Sequence, residues 1–189
     1  MSSDRGIPST TPTTPGSLEV LEEGVSLHYT YTDLMRYHGP AFPGGVAHAF
    51  KVLERALPLL EPAGPAERRE ITITTAFRGP GARDAFEMVT RAVTDGDRYV
   101  LDSGLEQPER GRTLERYVFR LDYRGRTVTL RIRDGFVVDE FIELARAPHR
   151  TEAQERRLTV LKQEMADRLL AGPATEVYDV YDADDMPAR

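Results

Sequence analysis

Cysteine is absent from this chain of 189 residues. That absence excludes disulfides, iron–sulfur clusters, thiolate-bound zinc and a cysteine nucleophile. Lysine is nearly absent as well. Only Lys51 and Lys162 occur, every other fixed positive charge being arginine, so Schiff-base chemistry has few candidates. No apolar run approaches the length of a membrane span, and the N-terminus lacks the basic-then-apolar pattern of a signal peptide. The expectation is a cytoplasmic protein with no membrane partner. Positive charge is also in deficit, with 25 Lys and Arg against 31 Asp and Glu, a net charge of -6. Nucleic acid is therefore not an expected partner, because phosphate neutralisation needs a basic surface. A Gly-x-Ser-x-Gly elbow is missing, and His149 stands in a Pro-flanked loop, so Ser/His/Asp catalysis has no support. There is no internal repeat.

What is present divides the chain into three stretches. Residues 1–17 are rich in Ser, Thr and Pro with almost no apolar content, a composition that cannot repay the entropy of ordering. Residues 18–173 carry the periodic patterns of one folded domain, and 174–189 alternate acids with Val177, Tyr178, Val180 and Tyr181, as an edge strand or a solvated acidic tail. Within the domain, Val25 to Tyr31 alternates like a strand, with Leu27, Tyr29 and Tyr31 on one face, and Thr32 or Asp33 is placed to cap a short helix ending at His38. Val46, Phe50, Leu53, Leu57 and Leu60 follow helical spacing, with Pro58 expected to end or kink the last turn. Ile71 to Phe77 reads as a strand and Ala82 to Val93 as a second helix. Tyr117 to Tyr123 and Val128 to Ile132 form two arms of an antiparallel hairpin, and Asp134-Gly135 predicts a turn into a third strand over Phe136 to Val138. The pattern leaves Asp139 to Ala145 open between strand and helix. Thr151 to Gln154 is a capping box in form, opening a long helix to Gly172-Pro173.

The organising stretch is Tyr37-His38-Gly39-Pro40-Ala41-Phe42-Pro43-Gly44-Gly45, a side-chain-poor bend that empties onto a helix N-terminus. Backbone N–H groups can approach a ligand closely there, and the helix dipole favours an anion. Two ligand chemistries are open. Gly39, Gly44 and Gly45 could hold a small anion, with Tyr31, Tyr37 and His38 lining the pocket and His38 serving as catalytic general acid or base. Alternatively His28, His38 and His48 converge on a divalent metal such as zinc, nickel or copper. Against both stands the plainer assignment in which His28 is exposed on a strand, His38 hydrogen-bonds the bend and His48 faces solvent. Arg78 and Arg83, flanking Gly79-Pro80-Gly81, could clamp a carboxylate or phosphate. The arginines of the hairpin lie largely on its outward face, a solvated surface or a docking face for a second copy of the chain.

His38-Gly39 and Pro43-Gly44, followed by an apolar helix, resemble the opening motif of the FmdE family, named for formylmethanofuran dehydrogenase, which reads His-Gly-His-x-Cys-Pro-Gly. Asp84-Ala85 falls where that family has an aspartate–alanine pair, and the hairpin and C-terminal helix follow in the same order over roughly Val20 to Gly172. The resemblance implies an α+β fold, an antiparallel meander sheet packed against helices, and a binding or accessory role with Asp84 in the site. It also marks departures. The family's second histidine is Pro40 here and its cysteine is Phe42; Ala82-Arg83 and Arg91-Ala92 stand near its further cysteines, and only His38 remains of its presumed metal ligands. The resulting expectation is a domain that holds a small anion or a metal at the His38 bend. A histidine-dependent enzyme and a homodimeric interaction module are the alternatives.

Overall fold

The computed structural model describes residues 16–181. The expected Ser/Thr/Pro tail up to residue 15 and the acidic end from residue 182 lie outside the described residues. The first elements are β1 (Ser17–Glu22) and β2 (Val25–Thr30), an antiparallel hairpin. Helix α1 (Tyr31–His38) follows at once, and its cap is Thr30 rather than Thr32 or Asp33. The Thr30 hydroxyl takes the Asp33 N–H, and the Asp33 carboxylate accepts the Thr30 N–H at 2.9 Å. Asp33 thus serves as the third residue of a capping box. Gly39 ends α1 at φ +87°, a backbone conformation open to glycine, and its N–H reaches Met35 O at 2.7 Å.

Helix α2 (Pro43–Leu60) is the centre of the fold. Its apolar stripe was expected to begin at Val46, but Pro43 occupies the first helical position, where a missing N–H is no loss. Pro58 does not stop it; the helix continues to Leu60, and the Glu61 N–H still closes on Leu57 O. Val46, Ala47, Ala49, Val52, Leu53, Ala56 and Leu60 are all fully buried. Such burial on nearly every side follows from packing against α1, strands β1, β6, β7 and β8, and helices α3, α6 and α7 introduced below.

Strand β3 (Ala66–Glu67) runs parallel to β1 and completes a three-stranded sheet. Then come β4 (Thr72–Thr75), α3 (Pro80–Thr90), β5 (Tyr99–Leu101), the short α4 (Gly111–Leu114), β6 (Val118–Tyr123) and β7 (Arg126–Ile132). The chain closes with α5 (Asp139–Arg146), α6 (Glu152–Leu170), α7 (Ala174–Val177) and β8 (Tyr178–Val180). The second sheet has the order β5-β4-β6-β7-β8, with β4 and β5 parallel and the other pairs antiparallel. The fold is α+β. Thr151 caps α6 through the expected box, with its side chain on the Gln154 N–H at 3.3 Å. No helix of the described residues is long and apolar enough to cross a membrane.

The third meander strand forms differently from the expectation. Phe136 to Val138 is not a strand; Gly135 at φ +90° turns the chain away, and α5 begins directly after. The place beside β7 is taken by β8 from the far end of the chain, with Leu130 opposite Val180 and Ile132 opposite Tyr178. The 174–189 stretch therefore supplies an edge strand, and Tyr178 within it is fully buried.

The start of α2 lies hard against the start of α3. A Cβ on Gly81 would come 2.6 Å from Phe42 O and 3.1 Å from the Val46 nitrogen, and one on Gly45 would come 3.2 Å from the Ala82 nitrogen. These contacts are with backbone, which cannot swing aside, so glycine is required by helix-to-helix approach. Gly81→Ala is expected to destabilise the fold by about 1–3 kcal/mol in denaturant titration. Gly64→Ala, where nothing lies within 4 Å of the new methyl, is expected to change it by less than about 0.5 kcal/mol.

Candidate functional site

Two of the residues singled out in the sequence meet. His38, the last residue of α1, places Nδ1 2.7 Å from Asp84 Oδ2, although the two are 46 residues apart. Asp84 belongs to the second turn of α3, since that helix begins at Pro80. A carboxylate only accepts, so the imidazole donates from Nδ1, and in the neutral ring Nε2 is then an acceptor. Nε2 is buried and has no hydrogen-bond partner among the described residues, and the His38 side chain is only 6 % exposed. Arg83 leans back on the other Asp84 oxygen at 3.6 Å, with its side chain half exposed, so it does not clamp across the bend with Arg78. Tyr37 points to solvent, 52 % exposed. Tyr31 is held inward, its hydroxyl donating to Pro43 O at 3.3 Å, and burial pushes its phenol up to about 12.

The histidine trio does not form. His28 stands exposed on β2, 3.8 Å from Glu19 Oε1 and within 3.2 Å of the Ser26 hydroxyl. His48, expected either to bind metal or to face solvent, does neither. It is fully buried within α2, with Tyr178 Oη 2.8 Å from Nδ1 and Met165 Sδ 3.3 Å from Nε2. Sulfur is a weak acceptor, so Nε2–H donates to it and Nδ1 accepts from the Tyr178 hydroxyl. Phe77 and Tyr117 pack on the same ring at centroid distances of 5.7 and 4.8 Å. Desolvation pushes its pKa down to about 3, so the ring is neutral. Zinc needs three or more convergent protein donors. Among the described residues no three His, Asp or Glu side chains gather to hold a metal ion, and His38 finds only Asp84. The donor set does not fit a zinc centre.

A larger feature was not visible in the sequence. A cleft of about 370 Å³ opens over the N-terminal ends of α2 and α3, within the size range of small-molecule sites. Phe42, His48, Phe77, Tyr117, Phe141, Ile142 and Met165 give it an apolar, aromatic wall. Around them stand Arg78, Arg112, Arg116, Arg146 and Lys162, and no Asp or Glu among the described residues lines it. Arg116 is engaged by Glu106 at 3.0 Å, and Arg146 by Glu115 at 3.0 Å. The guanidinium groups of Arg78 and Arg112 have no acidic partner among the described residues. Lys162 bonds Ala41 O at 3.2 Å and lies 4.1 Å from the Phe42 ring centroid, and burial lowers its pKa.

Backbone adds to this positive field. Gly44 and Gly45 line the cleft as the second and third residues of α2, whose first-turn N–H groups have no intrahelical acceptor. Gly79 and Pro80 bring the start of α3 to the same place. Neither helix has an acid in its first turn, so neither dipole is neutralised locally. Of the residues expected to line an anion site at the α2 N-terminus, Gly44, Gly45 and Arg78 lie at the cleft, whereas Tyr37, His38, Gly39, Arg83 and Asp84 do not line it. A neighbouring hollow shares Arg112, Thr113, Ile142 and Arg146 with the cleft and adds Asp139 and Glu143, so it offers an anion no comparable field. The signal in the sequence is Arg78 before Gly79-Pro80; the cleft's other cations come from segments too far apart to be associated by spacing.

Compared with known proteins, the sequence matches no family model, and no curated protein matches it.

The buried neutral His48 makes stability depend on pH. An unfolded imidazole titrates near ~6.5, whereas the folded one is held neutral down to about 3. Its contribution is complete above the unfolded value and is lost as pH falls, by up to about 1.4 kcal/mol per pH unit. Denaturant titrations between about pH 6.5 and 5, above most carboxylate titration, are expected to show a shallower decline for His48→Gln than for the wild type. Equal slopes would assign the dependence elsewhere.

Proposed function

We propose that this chain is a binding domain for a small organic anion with an apolar, aromatic body, taken up in the cleft over the starts of α2 and α3. One observation carries the reading: an apolar wall is ringed by four arginines and a lysine with no carboxylate in the lining, and only two of the arginines, Arg116 and Arg146, are engaged by glutamates from outside it, in a chain whose net charge is -6. Concentrating cations there costs self-repulsion, which an anion relieves. Arg78 and Arg112 are the groups with charge to spare, and a carboxylate or phosphate can engage a guanidinium through two parallel hydrogen bonds. Gly44 and Gly45 add backbone donors. The aromatic wall formed by Phe77, Tyr117 and Phe141 suits a flat apolar body better than an inorganic ion. A binding or accessory role of this kind is also what the resemblance to the FmdE family implies, with the ligand held by charge and shape rather than through a metal.

Calorimetric titration with 2-naphthoate and its uncharged amide tests the reading. The carboxylate is expected to bind at least about tenfold more tightly than the amide, in keeping with a charge-assisted pair. Arg78→Gln combined with Arg112→Gln should remove most of that preference, and raising the salt concentration should weaken the carboxylate selectively. Equal affinity for acid and amide, or binding of neither, would overturn it.

A further inference from the structure

His38 and Asp84 do not line the cleft, yet they stand directly behind it. Phe42 is the residue common to both places: its ring centroid is 5.8 Å from that of His38, and the same side chain lines the cleft beneath Lys162. Phe42 is also 37 % exposed, so its ring is not locked in the core. Behind it, the buried His38 Nε2 has no hydrogen-bond partner among the described residues, while Nδ1 is fixed by Asp84 at 2.7 Å. Leaving a buried ring nitrogen without a partner is costly. Such a group calls for an explanation beyond packing.

We propose that the His38–Asp84 pair is a general base serving the cleft, and that a bound anion reaches His38 Nε2 when the Phe42 ring turns aside. The inference rests on the anion-binding reading above and extends it from binding to proton transfer. The substrate class is an apolar-bodied carboxylate or phosphate carrying an acidic C–H or O–H. That bond breaks, the proton passes to Nε2, and the electron pair stays on the substrate. Asp84 keeps Nδ1 protonated before transfer and faces the imidazolium afterwards, so it is a positioning residue. The charge that develops on the substrate lies among Lys162 and the first N–H groups of α2, donors set in place before the reaction. Asp84 and, through it, Arg83 at 3.6 Å are the charged groups at His38, and Lys162 is the one against the Phe42 ring.

Diethyl pyrocarbonate, which acylates an accessible unprotonated imidazole nitrogen, provides a test independent of turnover. Modification of His28, His38, His48 and His149 is resolved by peptide mass spectrometry on the full chain. In the wild type His38 should react far more slowly than the exposed His28. Phe42→Ala, and Phe42→Leu as a milder variant, should speed His38 by about tenfold or more, the inverse of a minor open population of up to ~10 %. Saturating 2-naphthoate should slow it again in these variants. Nitrogen-15 spectra should show the neutral ring of the wild type with Nε2 unprotonated and a mixture of tautomers in Asp84→Asn, with His38 reactivity towards the reagent changed in that variant as well. Unchanged His38 reactivity in both Phe42 variants, or 2-naphthoate that binds without protecting His38, would overturn the base while leaving the anion site standing. Failure of 2-naphthoate to bind at all would overturn both.

Discussion

The close approach of two helix N-termini is the constraint on which the rest of this structure depends. Gly45 and Gly81 let α2 and α3 meet at backbone distance. That contact sets the start of α3 beside the bend that leaves α1, and so carries Asp84 to His38. It also directs two helix dipoles of the same sign towards one region, an arrangement that is unfavourable unless something negative faces it. The chain supplies little of that charge from its own side chains: Glu106 and Glu115 engage Arg116 and Arg146 from outside the lining. Neither first turn holds an acid, and the side chains gathered around the cleft add positive charge instead. Within the lining, Arg78 and Arg112 keep their charge without an acidic partner among the described residues.

The apolar wall is held from the opposite end of the chain. Tyr178 in β8 hydrogen-bonds His48 in α2, 130 positions away in the sequence, and Met165 from α6 meets the other imidazole nitrogen. Both ring nitrogens are thus engaged, which is how a polar side chain lies fully buried in a core helix without a large penalty. Burial also raises the Tyr117 and Tyr178 phenols well above their usual range and keeps His48 neutral, so the wall carries no charge of its own near neutral pH. The positive charge at the cleft is then carried by the surrounding arginines, Lys162 and the helix starts.

Legibility in the sequence follows the range of the interactions involved. The β6–β7 hairpin, the capping box of α6 and the glycine-shaped bend are local, and each is readable from a few consecutive residues. Pattern alone misplaces the third strand, because a strand pairs with whatever edge is presented to it. Phe136 to Val138 has the right residue types, but β8, arriving through α6 and α7, takes the edge of β7. His48 departs from expectation for a related reason. The apolar stripe at 46, 50, 53, 57 and 60 suggests a helix with one wet face, whereas α2 is enclosed on nearly all sides, and position 48 has no solvent to face. The cleft's cations come from the β4–α3 connection, α4, the turn before β6, α5 and α6; no spacing rule links them.

Position 42 connects the two parts of the site. A phenylalanine there can offer neither a metal ligand nor a nucleophile, but it offers a broad apolar surface with a face for a cation. Lys162 takes that face, which holds a partly desolvated ammonium at the cleft without committing it to a carboxylate. The other contact of the ring is the imidazole of His38, whose Nε2 is kept from solvent while Nδ1 is fixed. An aromatic side chain in contact with both a cation and an imidazole is a low-cost element to move, because turning it exposes apolar surface to a cleft already walled by apolar groups. Moving the imidazole itself would break its bond to Asp84. If either side of the site adapts to a ligand, the energetics favour the ring of Phe42 over the dyad behind it.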